Sequence, residues 1–273
     1  SKFLLEAGSD IWRALHPRFN SLSPRERHES FKEIMKEKAE VVQRNRLAKY
    51  TNVLNHYKKV EYIEERAKFE GPGLIRAGEV SIEAKFIVIA TGSSGAALQI
   101  PGIEMLERSD VLTNIEAFEL ETLPKNMIVI GGGPTGLEVA QIFHRFGSEV
   151  IVVQRRNRLL PITEPEISDA IAKNLEAEGI KIQLNSQPVK VRKDGREIVL
   201  TVNMNGKEQE LRAEKLFVAI GVRGNTEDLN LEAIGLSTDG KGFIEVDENM
   251  RTKAKNIYAA GDVTGAPWLE TVA

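Results

Sequence analysis

The stretch that most limits what this chain can fold into runs from residue 127 to residue 147. Met127-Ile128-Val129-Ile130 is a short apolar run, Gly131-Gly132-Gly133-Pro134-Thr135-Gly136 follows at once, and residues 137–146 form a helical pattern stopped by Gly147. A strand apolar at every position belongs inside a parallel sheet, covered on both faces. Parallel neighbours need a crossover, and the helix leading into Glu149-Val150-Ile151-Val152-Val153 supplies one, so the unit reads as βαβ. Its turn fits G-x-G-x-x-G. With 22 glycines in 273 residues, that pattern alone arises by chance about 0.14 times in a chain of this length. Set between strand and helix it carries more weight. Gly131 allows the tight turn, Gly133 lets a pyrophosphate approach the backbone beside Pro134, and Gly136 permits close helix–strand packing. The helix start adds N–H donors and a positive dipole end. The unit predicts a dinucleotide site.

The end of the second strand says which dinucleotide. A site for NAD wants an acid about 20 residues on, to accept from the ribose 2′-hydroxyl. Here Gln154 stands in that place, with Arg155, Arg156 and Arg158 directly after, and Glu149 lies at the wrong end of the strand. No carboxylate repels a 2′-phosphate and guanidinium groups are at hand to bind it. The pattern predicts NADPH; the plainer alternative is a solvated basic turn.

The same alternation continues downstream. A helix over 166–178 stops at Gly179, a strand covers 180–184, an antiparallel excursion over 189–211 turns at Asp194-Gly195 and Asn205-Gly206, and an apolar strand over 216–220 ends at Gly221. Upstream, the first 60 residues are helical. Leu4, Leu5, Ile11, Trp12 and Leu15 mark one helix. Ser23-Pro24-Arg25-Glu26 marks the start of another, with Phe31, Ile34, Met35, Lys38, Val41 and Val42 as its buried stripe. Short strands follow near 61–67, 74–75 and 80–82, and the apolar run 85–92 reads as a strand buried on both faces and stopped by Gly92. Residues 78–92 and 206–221 share one pattern: glycine, alternating strand, alanine and lysine, apolar strand, glycine. That repeat suggests two copies of a nucleotide-binding domain.

Composition excludes other chemistries. A net charge of −3 leaves no basic surface for nucleic acid or anionic membrane. With zero cysteines, no thiol catalysis or disulfide is available within these residues. His16, His28, His56 and His144 are scattered without metal-ligand spacing. Neither a signal peptide nor a transmembrane run is present, and the sequence starts without Met in a helical pattern. The reading is a piece of a longer cytoplasmic protein.

Near the end, Asn256-Ile257-Tyr258-Ala259-Ala260-Gly261-Asp262-Val263 is a strand closing on Gly-Asp. With Ala90-Thr91-Gly92, Leu123-Pro124-Lys125 before the glycine turn and Gly221 after the last strand, it resembles the FAD-dependent pyridine nucleotide–disulfide oxidoreductases along essentially all of the chain. Among them, Gln154-Arg155, the Arg-Leu-Leu-Pro and Glu-Pro-Glu-Ile-Ser stretches and Leu269-Glu270-Thr271-Val272-Ala273 most resemble mercuric reductases.

The resemblance implies an α/β fold: a Rossmann-like NAD(P)-binding domain (123–247) inserted in an incomplete FAD-binding domain (1–122, resumed at 248–273) with long N-terminal helices. It implies that Thr91, Gly92, Gly261 and Asp262 serve FAD, Asp262 accepting from a ribityl hydroxyl, and that a helix near Pro267-Trp268 faces the flavin. Lys2 would pair with Glu138 beside flavin and nicotinamide. The redox cysteines would precede Ser1, and a dimerisation domain would follow Ala273, making the intact protein a homodimer. Hydride would pass from NADPH to FAD, and electrons through the cysteines to Hg(II). Rival readings are dihydrolipoamide dehydrogenase or another dithiol reductase, a Cys-free flavin reductase, and a redox-silent nucleotide-binding module.

Overall fold

The computed structural model describes residues 1–16 and 31–267. The expected helix start at Ser23-Pro24-Arg25-Glu26 and the expected helix at Trp268 lie outside the described residues. Two compact units divide the chain: Ser1–Thr51 with Ala97–Ile220, and Asn52–Ala96 with Gly221–Ala273.

In the first unit, five parallel strands stand in the order Val111–Leu112, Lys215–Val218, Asn126–Ile130, Glu149–Val153, Lys181–Gln183. The apolar run that marked the first strand has a neighbour on each side, and Met127, Ile128 and Val129 are wholly buried. Counted from Asn126–Ile130, the four successive strands lie 3-2-1-4. Strand order therefore reverses between Asn126–Ile130 and Lys215–Val218, the place beyond whose carboxyl ends open α/β sheets take a ligand. Helix Pro134–Phe146 starts three residues earlier than its apolar pattern, because Pro134 sits in its first turn and Gly133 caps it. Helix Pro165–Glu178 ends, as expected, at Gly179 with φ 110°. The excursion is a meander of Ser186–Asp194, Glu197–Met204 and Lys207–Ala213. Asn205 and Gly206 both adopt positive φ, 53° and 86°, as the Asn-Gly pair of a type I′ turn requires.

This division differs from the expected boundaries at 122 and 247. Helix Lys2–Leu15 buries Leu4 in the same apolar cluster as Val139, Ile142 and Phe143. Gly8 lets the two helices approach: a Cβ there would stand 3.2 Å from Arg145 Cβ. Ser9 accepts from Arg145 Nη1 at 2.8 Å, and Trp12 stacks obliquely near His144. Helix Phe31–Arg46 adds Ile34 and Met35, and the Lys38 ammonium donates to the Phe118 carbonyl. Its stripe ends sooner than expected, since Val42 is exposed. The N-terminal helices thus belong to the nucleotide-type sheet because their apolar faces are satisfied there. Residues after Gly221 leave it for the opposite reason: Leu231, Ile234 and Ile244 pack with Phe69, Ile87 and Ile89.

In the second unit, Ala67–Gly71, Leu74–Ala77 and Val80–Glu83 form an antiparallel meander. The strand expected over 61–67 begins only at Ala67. Ile87–Ile89 pairs in parallel with Ile257–Ala259, and Ser93–Gly95 pairs antiparallel with Val222–Gly224. The expectation of two-sided burial over 85–92 is corrected here. Only three residues are strand, there is one parallel neighbour, and Val88 is 63% exposed. The repeat does appear: each unit contains a three-stranded meander followed directly by a short strand with a parallel partner.

Candidate nucleotide site

The glycine turn lies at the carboxyl end of Asn126–Ile130, at the reversal of strand order. Its glycines have separate jobs. Gly131 has φ 116°, and a Cβ on it would stand 2.1 Å from the Ala219 carbonyl oxygen. At Gly136 a Cβ would stand 2.0 Å from the Gly131 oxygen, so only hydrogen lets the helix sit down on the turn. Gly133 is different, because a Cβ there would meet nothing within 4 Å. The space it leaves open is outside the protein's own packing, beside the start of a 13-residue helix that no side chain caps. Backbone donors, an open approach and the positive end of a helix fit the pyrophosphate of a dinucleotide.

The residues after Glu149–Val153 divide into two groups. Arg155 and Arg156 are exposed, and neither guanidinium has a hydrogen bond or ion pair among the described residues. Gln154 is only 7% exposed. Its Nε2 donates to the Arg158 carbonyl at 3.3 Å and lies 3.1 Å from where a Gly132 Cβ would be. So the residue singled out as a ligand contact spends its amide on the protein itself. Arg158 also turns inward, donating from Nη2 to the Pro161 carbonyl at 3.1 Å. Two residues from the Arg-Leu-Leu-Pro and Glu-Pro-Glu-Ile-Ser stretches, to which the sequence reading gave no role, complete this corner. Leu160 donates its backbone N–H to the Gly132 carbonyl at 2.8 Å, and Ser168, 1% exposed, donates from Oγ to the Leu159 carbonyl at 2.7 Å. A lone serine in a helix looks like a solvated position in sequence, which is why pattern alone gives it no role.

Helix Lys2–Leu15 runs parallel to Pro134–Phe146, with Ser1 toward Glu138 and Trp12 toward His144. Lys2 is exposed and forms no ion pair with Glu138 within 4 Å, so the two expected partners share one end of the helix pair without bonding. Arg145 and Glu178, by contrast, form a two-pronged pair at 2.9 and 2.7 Å, largely withdrawn from water.

In the second unit, Thr91-Gly92 and Gly261-Asp262 follow the carboxyl ends of the parallel strands Ile87–Ile89 and Ile257–Ala259. Thr91 Oγ1 donates to the Asn225 carbonyl at 2.7 Å. Ser93 Oγ donates to Asp262 Oδ2 at 2.9 Å, leaving that carboxylate's second oxygen available. Gly92 and Gly261 both have positive φ, 72° and 76°. Gly221 stands in this unit too, its carbonyl accepting from Ala96 N–H at 2.9 Å. Two strands and one carboxylate fit one edge of a second cofactor site. Among the described residues no cluster of His, Asp and Glu could hold a metal ion, and no helix is long and apolar enough to cross a membrane.

A glycine turn at a strand-order reversal, an open pyrophosphate approach and basic side chains beyond it define a dinucleotide-binding α/β protein. Residues 16–273 match the family described as pyridine nucleotide-disulphide oxidoreductase, and the chain belongs to it. It is 36% identical over its whole length to a mercuric reductase of Bacillus cereus, covering 43% of that protein, and 34% identical to one of Staphylococcus aureus, covering 49%. A dihydrolipoyl dehydrogenase of Thermus scotoductus is 38% identical over 77% of the chain and 46% of the relative. Among solved structures, the HOCl-induced flavoprotein disulfide reductase RclA from Escherichia coli superposes with TM-score 0.85 at 26% identity, over 99% of this chain and 57% of that one. The chain thus spans about half the length of the curated relatives it matches. The family implies a flavin and a nicotinamide cofactor; Thr91, Gly92, Gly261 and Asp262, expected from the sequence to serve the flavin, all fall in the second unit.

Proposed function

We propose that this chain is the nicotinamide-nucleotide module, with part of the FAD module, of an NADPH-dependent reductase whose final electron acceptor is Hg(II). The observation that carries NADPH is the pair of unpartnered guanidiniums, Arg155 and Arg156, at a strand end where Gln154 replaces an acid. The Hg(II) reading rests on similarity to mercuric reductases across all 273 residues. It is the weaker half, since dihydrolipoyl dehydrogenases share most of the chain.

When bound, the two cofactors supply hydride and electron transfer; the chain holds and orients them. Gly133 and Gly136 would offer backbone N–H groups to the pyrophosphate, while Gly131, whose N–H is held by the Val153 carbonyl, shapes the turn, and Pro134, which has no N–H, presets the helix start. Arg155 and Arg156 would take the 2′-phosphate. Asp262, oriented by Ser93, would accept from a ribityl hydroxyl, while Thr91, Gly92 and Gly261 allow the flavin's close approach. Glu138, at the glycine-turn end of its helix with Lys2 nearby, would stand beside the nicotinamide. Gly221 is assigned to the cofactor region on its place after the last strand. The chain has no cysteine, so the thiolates that would hold Hg(II) lie outside it.

In the intact enzyme, proposed to be a cytoplasmic homodimer, NADPH plus Hg(II) gives NADP⁺, a proton and elemental mercury. Electrons balance, two given and two taken. The test is NADPH oxidation by the longer protein carrying this chain. One mercury atom volatilised per NADPH consumed supports the assignment, and NADH formation driven by dihydrolipoamide without mercury reduction replaces it. The 273-residue chain alone is expected to bind NADPH saturably, hold FAD weakly and turn over no Hg(II). A flavin-loaded yellow preparation would refute the weak-FAD part.

A further inference from the structure

Two exposed arginines on a loose turn would lose much of their binding free energy to being ordered. The turn that carries Arg155 and Arg156 is not loose. Asn185 N–H donates to the Arg156 carbonyl at 3.0 Å, and Gln154 Nε2 donates to the Arg158 carbonyl at 3.3 Å. Leu160 N–H donates to the Gly132 carbonyl at 2.8 Å, and Ser168 Oγ donates to the Leu159 carbonyl at 2.7 Å. Leu160 adopts φ 42°, a left-handed conformation that folds the chain back toward the glycine turn. Thr163 closes the bend by donating to the Leu160 carbonyl at 2.8 Å. Each of these ties is accepted by a backbone carbonyl, and among the described residues the Arg155 and Arg156 guanidiniums remain without a protein partner.

From this we infer that Gln154 and Ser168 are positioning residues that fix the span between the glycine turn and the arginine pair, and thereby set the preference for a 2′-phosphorylated nucleotide. The inference rests on the NADPH reading above. Ser168 is buried under Leu159 in the first turn of helix Pro165–Glu178, so it acts through the loop and not on the nucleotide. If the ties are cut, the charges remain and their attraction to phosphate persists. What goes is their fixed distance from the pyrophosphate donors.

Calorimetric titration of the full chain with adenosine 2′,5′-bisphosphate and with 5′-AMP, at constant salt, reads this preference directly. Wild type is expected to favour the bisphosphate. Ser168→Ala should reduce that preference about tenfold while 5′-AMP affinity stays within about twofold. Gln154→Met, which keeps volume and removes the donor, should reduce it in the same direction, and it carries the test if Ser168→Ala does not fold by circular dichroism. A wild-type chain with no preference overturns the NADPH reading. A preference present in wild type and unchanged in both folded variants overturns the positioning role alone, as does an equal loss for both nucleotides.

Discussion

The two units apply one plan to unequal amounts of sheet. Each sets a three-stranded meander before a short apolar strand and puts glycines at that strand's carboxyl end. In the first unit that strand, Lys215–Val218, has neighbours on both sides and Val218 is buried; in the second it has one neighbour and Val88 lies 63% exposed. The difference teaches that the same local pattern of residues is buried or exposed according to how many strands this chain sets beside it. The glycine turn is braced from below by buried strands and from the side by the Leu160 and Ser168 ties. The Thr91–Gly92 and Gly261–Asp262 corner rests on two strands and a serine.

The comparison breaks most visibly at Gly131. Gly131→Ala places a carbon 2.1 Å from a backbone oxygen at φ 116°, and the expected cost is about 3 kcal/mol or more, with NADPH binding lost. In the second unit Gly92→Ala meets only Asn225 Nδ2 at 4.0 Å, so its cost is limited to about 1 kcal/mol of backbone strain. Thermal melts of both variants, with nucleotide titration of the first, check this. Next in size, the double variant Arg155→Ala with Arg156→Ala should lower the NADPH over NADH affinity ratio about 100-fold, as expected for losing charged hydrogen bonds to phosphate. An unchanged ratio would remove the NADPH assignment. Third, Val129→Ala should destabilise by about 2 kcal/mol and Val88→Ala by under about 0.5 kcal/mol, measured as urea midpoints. Equal costs would mean that Val88 is covered in solution.

The smallest expected effect concerns acid. Burial alone would raise the Glu116 carboxyl, but Thr113, through its hydroxyl and N–H, and Arg108 outweigh it and hold the group at about 2, down from 4.5. A folded value below the unfolded one makes the carboxylate stabilising above about 4.5. That contribution is lost as pH falls through about 2. The stability gap between wild type and Glu116→Gln should therefore be widest near neutrality and close across that window. A gap independent of pH would contradict the assignment.

What could be read from sequence was what is local. The glycine turn, the Gly147 and Gly179 stops and the Asn205-Gly206 hairpin each depend on a few adjacent residues, and the structure has them in place. The Thr113-x-x-Glu116 capping box is equally local, set by two residues three apart. What failed depends on distant partners. The run 85–92 has the composition of a central strand, but the number of strands beside it is not written in its own residues. The N-terminal stripe showed which side of the helix would be buried and not which sheet would bury it. Gln154 stood at the right place for a nucleotide contact, yet the direction of its amide is set by Arg158 and Gly132, which approach only in the folded corner.

The glycine turn sits at the positive pole of helix Pro134–Phe146, whose first turn carries no acid. An incoming anion is drawn by that field, which the exposed Glu138 carboxylate, one turn further along, tempers on the outer surface. Tilting the helix away would weaken the attraction without touching a single glycine.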